Sequence, residues 1–148
     1  MDLSFGPRYE DFRSEVRQFV QEHGSKSPKS GNSGSKKAMA WQTLLIENGY
    51  AARTIPKDYG GYGGSPDIVE SRIIAEEFSK KQISTGLGGQ GISMLVPVLL
   101  EMGSEAQKKQ FVGPTIRGEM LWCQGYSEPG AGSDLASLST KAVLDGDD

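Results

Sequence analysis

The chain has 148 residues, 36% of them hydrophobic and 20 of them glycine, with a formal net charge of −3. This length suits one ordinary domain with a modest core, and the acidic balance gives no electrostatic case for nucleic acid. A single cysteine excludes an internal disulfide and a cysteine-based zinc cluster, and no apolar run is long enough to span a bilayer.

Asp2 and Glu10 lie near the start, with no apolar signal core, so a cytosolic, reducing compartment is expected. Pro7 to His23 reads as an amphipathic helix. Tyr9, Phe12, Val16, Phe19 and Val20 fall at helical spacing, and Glu10, Arg13, Arg17 and Gln18 take the wet face. His23 is expected as a polar residue at the helix end rather than a ligand, and Gly24 as the stop. Ser25 to Lys37 is a Ser/Gly/Lys loop with nothing to bury, expected to be mobile. It is either a solvated insertion or a place where lysines meet a phosphate-rich ligand.

A second helix is expected from Lys37 to Asn48, with Trp41, Leu44 and Leu45 inward and Gly49 closing it. Tyr59 to Gly64 is a glycine-rich turn, after which Ser65 as N-cap and Pro66 in the first turn start a third helix. Its buried stripe is Val69, Ile73, Ile74 and Phe78. Gly86 to Gly91 satisfies G-x-G-x-x-G, but a dinucleotide fingerprint needs a strand before it, and Glu76 to Gln82 looks like a helix end. The match is read as chance: a helix–helix connection whose flexibility can shape a pocket mouth.

Ile92 to Met102 is a thoroughly apolar helix. It is buried on most sides or lines an apolar pocket, and Pro97 either bends it or sits in its first turn. Gly103 ends it, and Ser104 with Gln107 makes a capping box for a short helix that halts near Gly113-Pro114. From Met120 onward the pattern becomes strand-like. Leu138, Thr140, Ala142 and Leu144 alternate with Ser139, Lys141 and Val143, and Asp145-Gly146 signals a hairpin turn with no return strand after it. The expectation is a fragment that stops just inside a β domain. Cys123 is read as a small core residue.

Between the two strand-like runs lies Tyr126-Ser127-Glu128-Pro129-Gly130-Ala131-Gly132-Ser133-Asp134. Glycines and proline make this backbone irregular and can aim N–H groups at a ligand; the plainer reading is a turn between strands. Glu128 sits in an exposed turn where nothing raises its pKa, so it is rejected as a general base. Asp134 is expected to brace the loop as a hydrogen-bond acceptor.

Ser127 to Asp134, followed by Thr140-Lys141-Ala142, resembles the acyl-CoA dehydrogenase family of flavoenzymes. Ile55-Pro56-Lys57-Asp58-Tyr59-Gly60-Gly61 and the stretch from Gly103 to Glu119 resemble the same family, in the same order. The resemblance implies a mainly α fold: an amino-terminal orthogonal helical bundle over residues 1–119, then the first strands of a truncated β-barrel domain over 120–148. It implies FAD as cofactor, contacted by Gln124, Gly125, Tyr126, Ser127, Gly132 and Ser133. Ser133 would also bind the thioester near its CoA portion, and Met94, Leu95 and Val98 would meet the acyl chain. The family most often has a hydrophobic residue where Tyr126, a bigger side chain, stands, and often Thr where Ser127 stands. The implied activity is α,β-dehydrogenation of an acyl-CoA, with an electron-transfer flavoprotein-like acceptor and a homo- or hetero-oligomer. No catalytic base and no metal site is expected within these residues, the base being a later glutamate, so residues 1–148 alone are expected to be inactive and to hold FAD weakly. A flavin oxidase or monooxygenase on the same scaffold, a non-catalytic subunit paired with a paralogous chain, and a plain interaction module remain as alternatives.

Overall fold

The computed structural model describes residues 6–29 and 35–146. Asp2, residues 30–34 of the Ser/Gly/Lys loop, and Asp147 with Asp148 lie outside them. Five α-helices follow in chain order: α1 Pro7–His23, α2 Lys36–Glu47, α3 Ile68–Lys80, α4 Val96–Met102 and α5 Glu105–Ile116. The mainly helical expectation holds. Among the described residues no β-strand forms, and the sole pairing is an isolated bridge between Glu128 and Ala131.

Helix α1 begins at Gly6, whose φ of 85° suits glycine, with Pro7 in the first turn. Val16, Phe19 and Val20 of α1 pack with Trp41 and Leu45 of α2 and with Ile73, Ile74 and Phe78 of α3. Burying each of these side chains contributes roughly 1.5–3 kcal/mol. Phe19 lies near the centre of the cluster, with ring centroids of Tyr50, Trp41 and Phe78 at 4.5, 6.0 and 6.2 Å.

Arg13, expected on the wet face of α1, is buried. It donates to Glu77 (2.8 Å) and Glu76 (3.0 Å) on α3. Arg17 and Lys80 also bond Glu77, at 2.9 and 2.8 Å, while Arg8 reaches Glu70 at 2.8 Å and Asp67 at 3.3 Å. This register runs α1 and α3 in the same direction. Glu77 is a buried carboxylate held by three cations. Burial alone would raise its carboxyl, yet hydrogen bonds from Arg17, Lys80 and Arg13 outweigh that and hold it at about 2.

Several helix ends differ from expectation. Helix α3 is capped by Asp67, not Ser65: its carboxylate accepts the Glu70 N–H at 3.0 Å. Asp67 also accepts from the Tyr9 hydroxyl (3.3 Å), so contacts from α1 select the cap two residues later than the Ser-Pro pattern suggests. Gly24 does not stop α1 in a left-handed conformation; with φ −56° it continues into a 3-10 turn over Gly24–Lys26. Nor is the following loop without buried parts, because Ser27 is buried and accepts the Ser84 N–H at 3.0 Å. The capping box at Ser104 and Gln107 is present. Helix α5, however, runs through Gly113-Pro114 to Ile116. Proline there removes one donor, and the carbonyl it deprives belongs to exposed Gln110.

A second core joins Ile46 and Ile55 to Val96 of α4 and to Val112 and Ile116 of α5. The glycine-rich turn makes this possible. A Cβ at Gly61 would sit 2.1 Å from the Ile55 carbonyl oxygen, and Gly60 takes φ 87°. Buried Gln42 links the two halves: its Nε2 donates to the Ile116 carbonyl at 2.8 Å and its Oε1 accepts the Leu87 N–H at 2.7 Å. The Leu87 bond ties the glycine-rich segment to α2.

Candidate functional site

Gly86–Gly91 follows the end of α3 and a short loop rather than a strand, so no dinucleotide fold surrounds it. It leads into a π turn over Gly91–Leu95, closed by the Val96 N–H on the Gly91 carbonyl. Pro97 then sits in the first turn of α4. Having no N–H, it cannot complete the preceding ladder, and the widened turn lies where that ladder is interrupted. The helix is buried on one side only. Val96 points into the core, but Met94 and Val98 are 46% and 57% exposed.

The segment after α5 passes alongside this helix. Trp122 Nε1 donates to Thr115 Oγ1 at 2.9 Å, and the Phe111 ring meets the indole edge-on at 5.8 Å. Gln124 accepts from Gln90 Nε2 at 2.8 Å and sets its own Nε2 3.3 Å from Met94 Sδ. Between the helix and this segment lies an apolar groove of about 250 Å³, walled by Met94, Leu95 and Val98 on one side and by Trp122, Cys123, Gln124 and Tyr126 on the other. Five of the residues singled out in the sequence (Met94, Leu95, Val98, Gln124 and Tyr126) thus meet around one groove. Gly125, Ser127, Gly132 and Ser133 do not line it. Cys123 is exposed rather than part of the core.

The loop beyond is a tight turn. Glu128 and Ala131 exchange two backbone bonds, of 3.2 and 3.1 Å, around Pro129-Gly130. Only Ala131 is buried here. The Asp134 carbonyl, not its side chain, braces the next turn by accepting from Ser137 Oγ at 2.9 Å. Residues 138–146 are exposed and do not form the expected strand. A strand needs a neighbour for its ladder, and here the Glu128 carboxylate takes the N–H groups of Ser139 and Thr140 instead. Those contacts, led by the Thr140 hydroxyl and then the Ser139 N–H, hold the Glu128 carboxyl below the usual range. It is therefore an ionised brace and unsuited to a base that needs a raised pKa.

FAD fits the donor set of this loop. The Ser127 and Ser133 hydroxyls and the N–H groups of Tyr126, Ser127, Gly132 and Ser133 make no hydrogen bond among the described residues. The hydroxyls can rotate toward a flavin's polar edge, and the N–H groups have no protein acceptor to displace. A side chain added at Gly125, Gly130 or Gly132 would meet nothing, so the backbone is open to a ligand. Among the described residues no cluster of His, Cys, Asp or Glu could hold a metal, and no helix is long and apolar enough to cross a membrane.

A family model described as acyl-CoA dehydrogenase, N-terminal domain, matches residues 7–119. The chain is 33% identical over 147 residues to a Mycolicibacterium smegmatis protein named acyl-CoA dehydrogenase IpdE1, covering 93% of this chain and 37% of that protein. Among solved structures, one titled Tcur3481-Tcur3483 steroid ACAD superposes with a TM-score of 0.62 at 30% identity, over 99% of this chain and 38% of the other. The ChsE4-ChsE5 complex from Mycobacterium tuberculosis gives 0.61 at 28% identity, over 99% and 37%. The chain belongs to the acyl-CoA dehydrogenase family. It spans somewhat more than a third of the length of these relatives.

Trp122, Thr115 and Gln90 were not singled out by sequence reasoning. Trp122 falls in the strand-like run from Met120 onward, but nothing local marks its bond to Thr115, seven residues earlier.

Proposed function

We propose that this chain supplies the amino-terminal helical part, residues 1–119, and the opening of the β domain, residues 120–148, of a flavin-dependent acyl-CoA dehydrogenase. In this reading the helices form the family's orthogonal bundle, and residues 120–148 gain strand partners from the rest of the protein. The observation that carries the reading is the convergence of Met94, Leu95 and Val98 with Gln124 and Tyr126 around one apolar groove, next to a loop rich in unpaired donors.

The groove would take the apolar part of an acyl-CoA thioester. Ser127 and the Tyr126 and Gly125 backbone would hold the flavin, Gly132 and Ser133 would sit at its periphery, and Ser133 would also touch the CoA portion. FAD, when bound, would accept the hydride leaving the β-carbon. The α-proton would go to a glutamate outside these residues, so 1–148 alone would be inactive. An electron-transfer flavoprotein-like protein would take the electrons, in the cytoplasm.

The test is anaerobic addition of acyl-CoA thioesters to the FAD-loaded full-length protein. Loss of the oxidised flavin absorbance, with a dye but not oxygen completing turnover, is expected. No absorbance change with any thioester would overturn the reading, and rapid oxygen consumption would favour an oxidase. A second arrangement is favoured by two structural relatives whose titles each name two chains: this chain would pair with a paralogous subunit. Co-expression followed by mass measurement of the assembly distinguishes a mixed from a homomeric oligomer.

A further inference from the structure

The groove beside α4 has a neighbour. A second cavity, also about 250 Å³, lies under the glycine-rich segment and is bounded by Leu87, Ile92, Thr115 and Met120. The two cavities share two wall residues, Gln90 and Trp122. Trp122 is the large one, and it is held from three directions. Thr115 Oγ1 fixes its N–H at 2.9 Å. Phe111 packs edge-on. Gly91 lies flush beneath it, since a Cβ there would be 2.5 Å from the indole Cδ1. The bond from Gln90 to Gln124 spans the same divide.

We propose that Trp122 is a specificity-determining partition: it closes the groove against the second cavity and so sets how bulky an acyl group is accepted. This rests on the acyl-CoA reading above. Leu87, Ile92 and Met120 on one side and Met94, Leu95 and Val98 on the other make both spaces largely apolar, so a longer or polycyclic acyl group gains contact beyond the groove only if the indole is removed or displaced. Gly91 is the companion position, because its missing side chain lets the indole lie against the π turn.

The test uses the FAD-loaded full-length protein carrying this chain, with saturated acyl-CoA thioesters of increasing length and one polycyclic acyl-CoA. In Trp122→Ala the ratio of kcat/KM for the bulkiest over the shortest thioester rises by about tenfold or more. Binding of the matching unreactive thioether analogues shifts the same way. Trp122→Phe, which shortens the wall but keeps an aromatic ring against Phe111, shifts it in the same direction by a smaller factor, which keeps the test open should the alanine variant not fold. Gly91→Ala moves the ratio in the wild-type background and moves it less in Trp122→Ala, where only the 3.0 Å approach to Thr115 Cγ2 remains. A uniform fall across the series, or a Gly91→Ala effect undiminished without the indole, overturns the partition. A wild-type protein that holds FAD but turns over none of the thioesters overturns the acyl-CoA reading and the partition together, whereas an unchanged ratio in an active protein overturns the partition alone.

Discussion

Replacing Glu77 by glutamine tests the α1–α3 junction directly. The side chain keeps its size and loses its charge, leaving Arg13 buried with one acidic partner fewer. A carboxyl lowered from 4.5 to about 2 on folding carries roughly 3 kcal/mol of stability, at about 1.4 kcal/mol for each tenfold. The sign follows from the depressed folded value. The contribution is complete above 4.5, where both states are ionised, and it is lost progressively as pH falls toward 2 because the unfolded chain protonates first. Breaking a buried pair by removing one partner costs a similar amount, about 3–5 kcal/mol. Urea unfolding near neutral pH should therefore show Glu77→Gln less stable by roughly 3 kcal/mol, with the midpoint displaced and the slope against denaturant unchanged. Between 4.5 and 2 the wild type should lose stability more steeply than the variant. Equal stabilities at neutral pH, or parallel acid profiles, would refute the assignment of Glu77 as a net stabilising centre.

Gln42→Leu should destabilise the fold by roughly 2–4 kcal/mol, because it strands the Leu87 N–H and the Ile116 carbonyl; calorimetry and amide exchange at Leu87 read both effects. Gly61→Ala should cost about 3 kcal/mol or more, since its Cβ would meet the rigid Ile55 carbonyl rather than a flexible chain end. A thermal midpoint within a degree or two of wild type would contradict that packing. Ser127→Ala in the FAD-loaded protein should slow anaerobic flavin reduction by roughly tenfold or more through loss of a pre-aimed donor, and stopped-flow absorbance measures it.

Helical periodicity exposed most of the interior in advance. Val16, Phe19, Val20, Trp41, Leu45, Ile73, Ile74 and Phe78 all entered the core as their spacing suggested. Polar residues were where the reading went astray. Arg13 and Gln42 look like solvent-facing positions on their own helices, and partners distant in the chain, Glu76 and Glu77 for Arg13 and Leu87 and Ile116 for Gln42, make their burial favourable. The Asp67 cap was hidden behind a conventional Ser-Pro start because Arg8 and Tyr9 belong to another helix. In the site, the family motif pointed to Met94, Leu95 and Val98 as acyl contacts and to Gln124 and Tyr126 as flavin contacts; that all five wall one groove was not legible from it. Nor was the two-cavity arrangement around Trp122, since it depends on a π turn and on a glycine whose importance lies in the space it leaves. The strand pattern after Leu138 concerns what those residues can do when neighbours are present, and the described residues provide none.

Because α1 and α3 run the same way, their positive dipole ends lie side by side, a repulsive arrangement. Asp67 answers both at once: it caps its own helix and holds Tyr9 and Arg8 of the other. The two amino-terminal turns should consequently fray as one unit. Amides in the first turn of each helix would exchange with a common opening free energy, and Asp67→Ala would loosen them in concert while leaving the far ends, anchored by Glu77, closed.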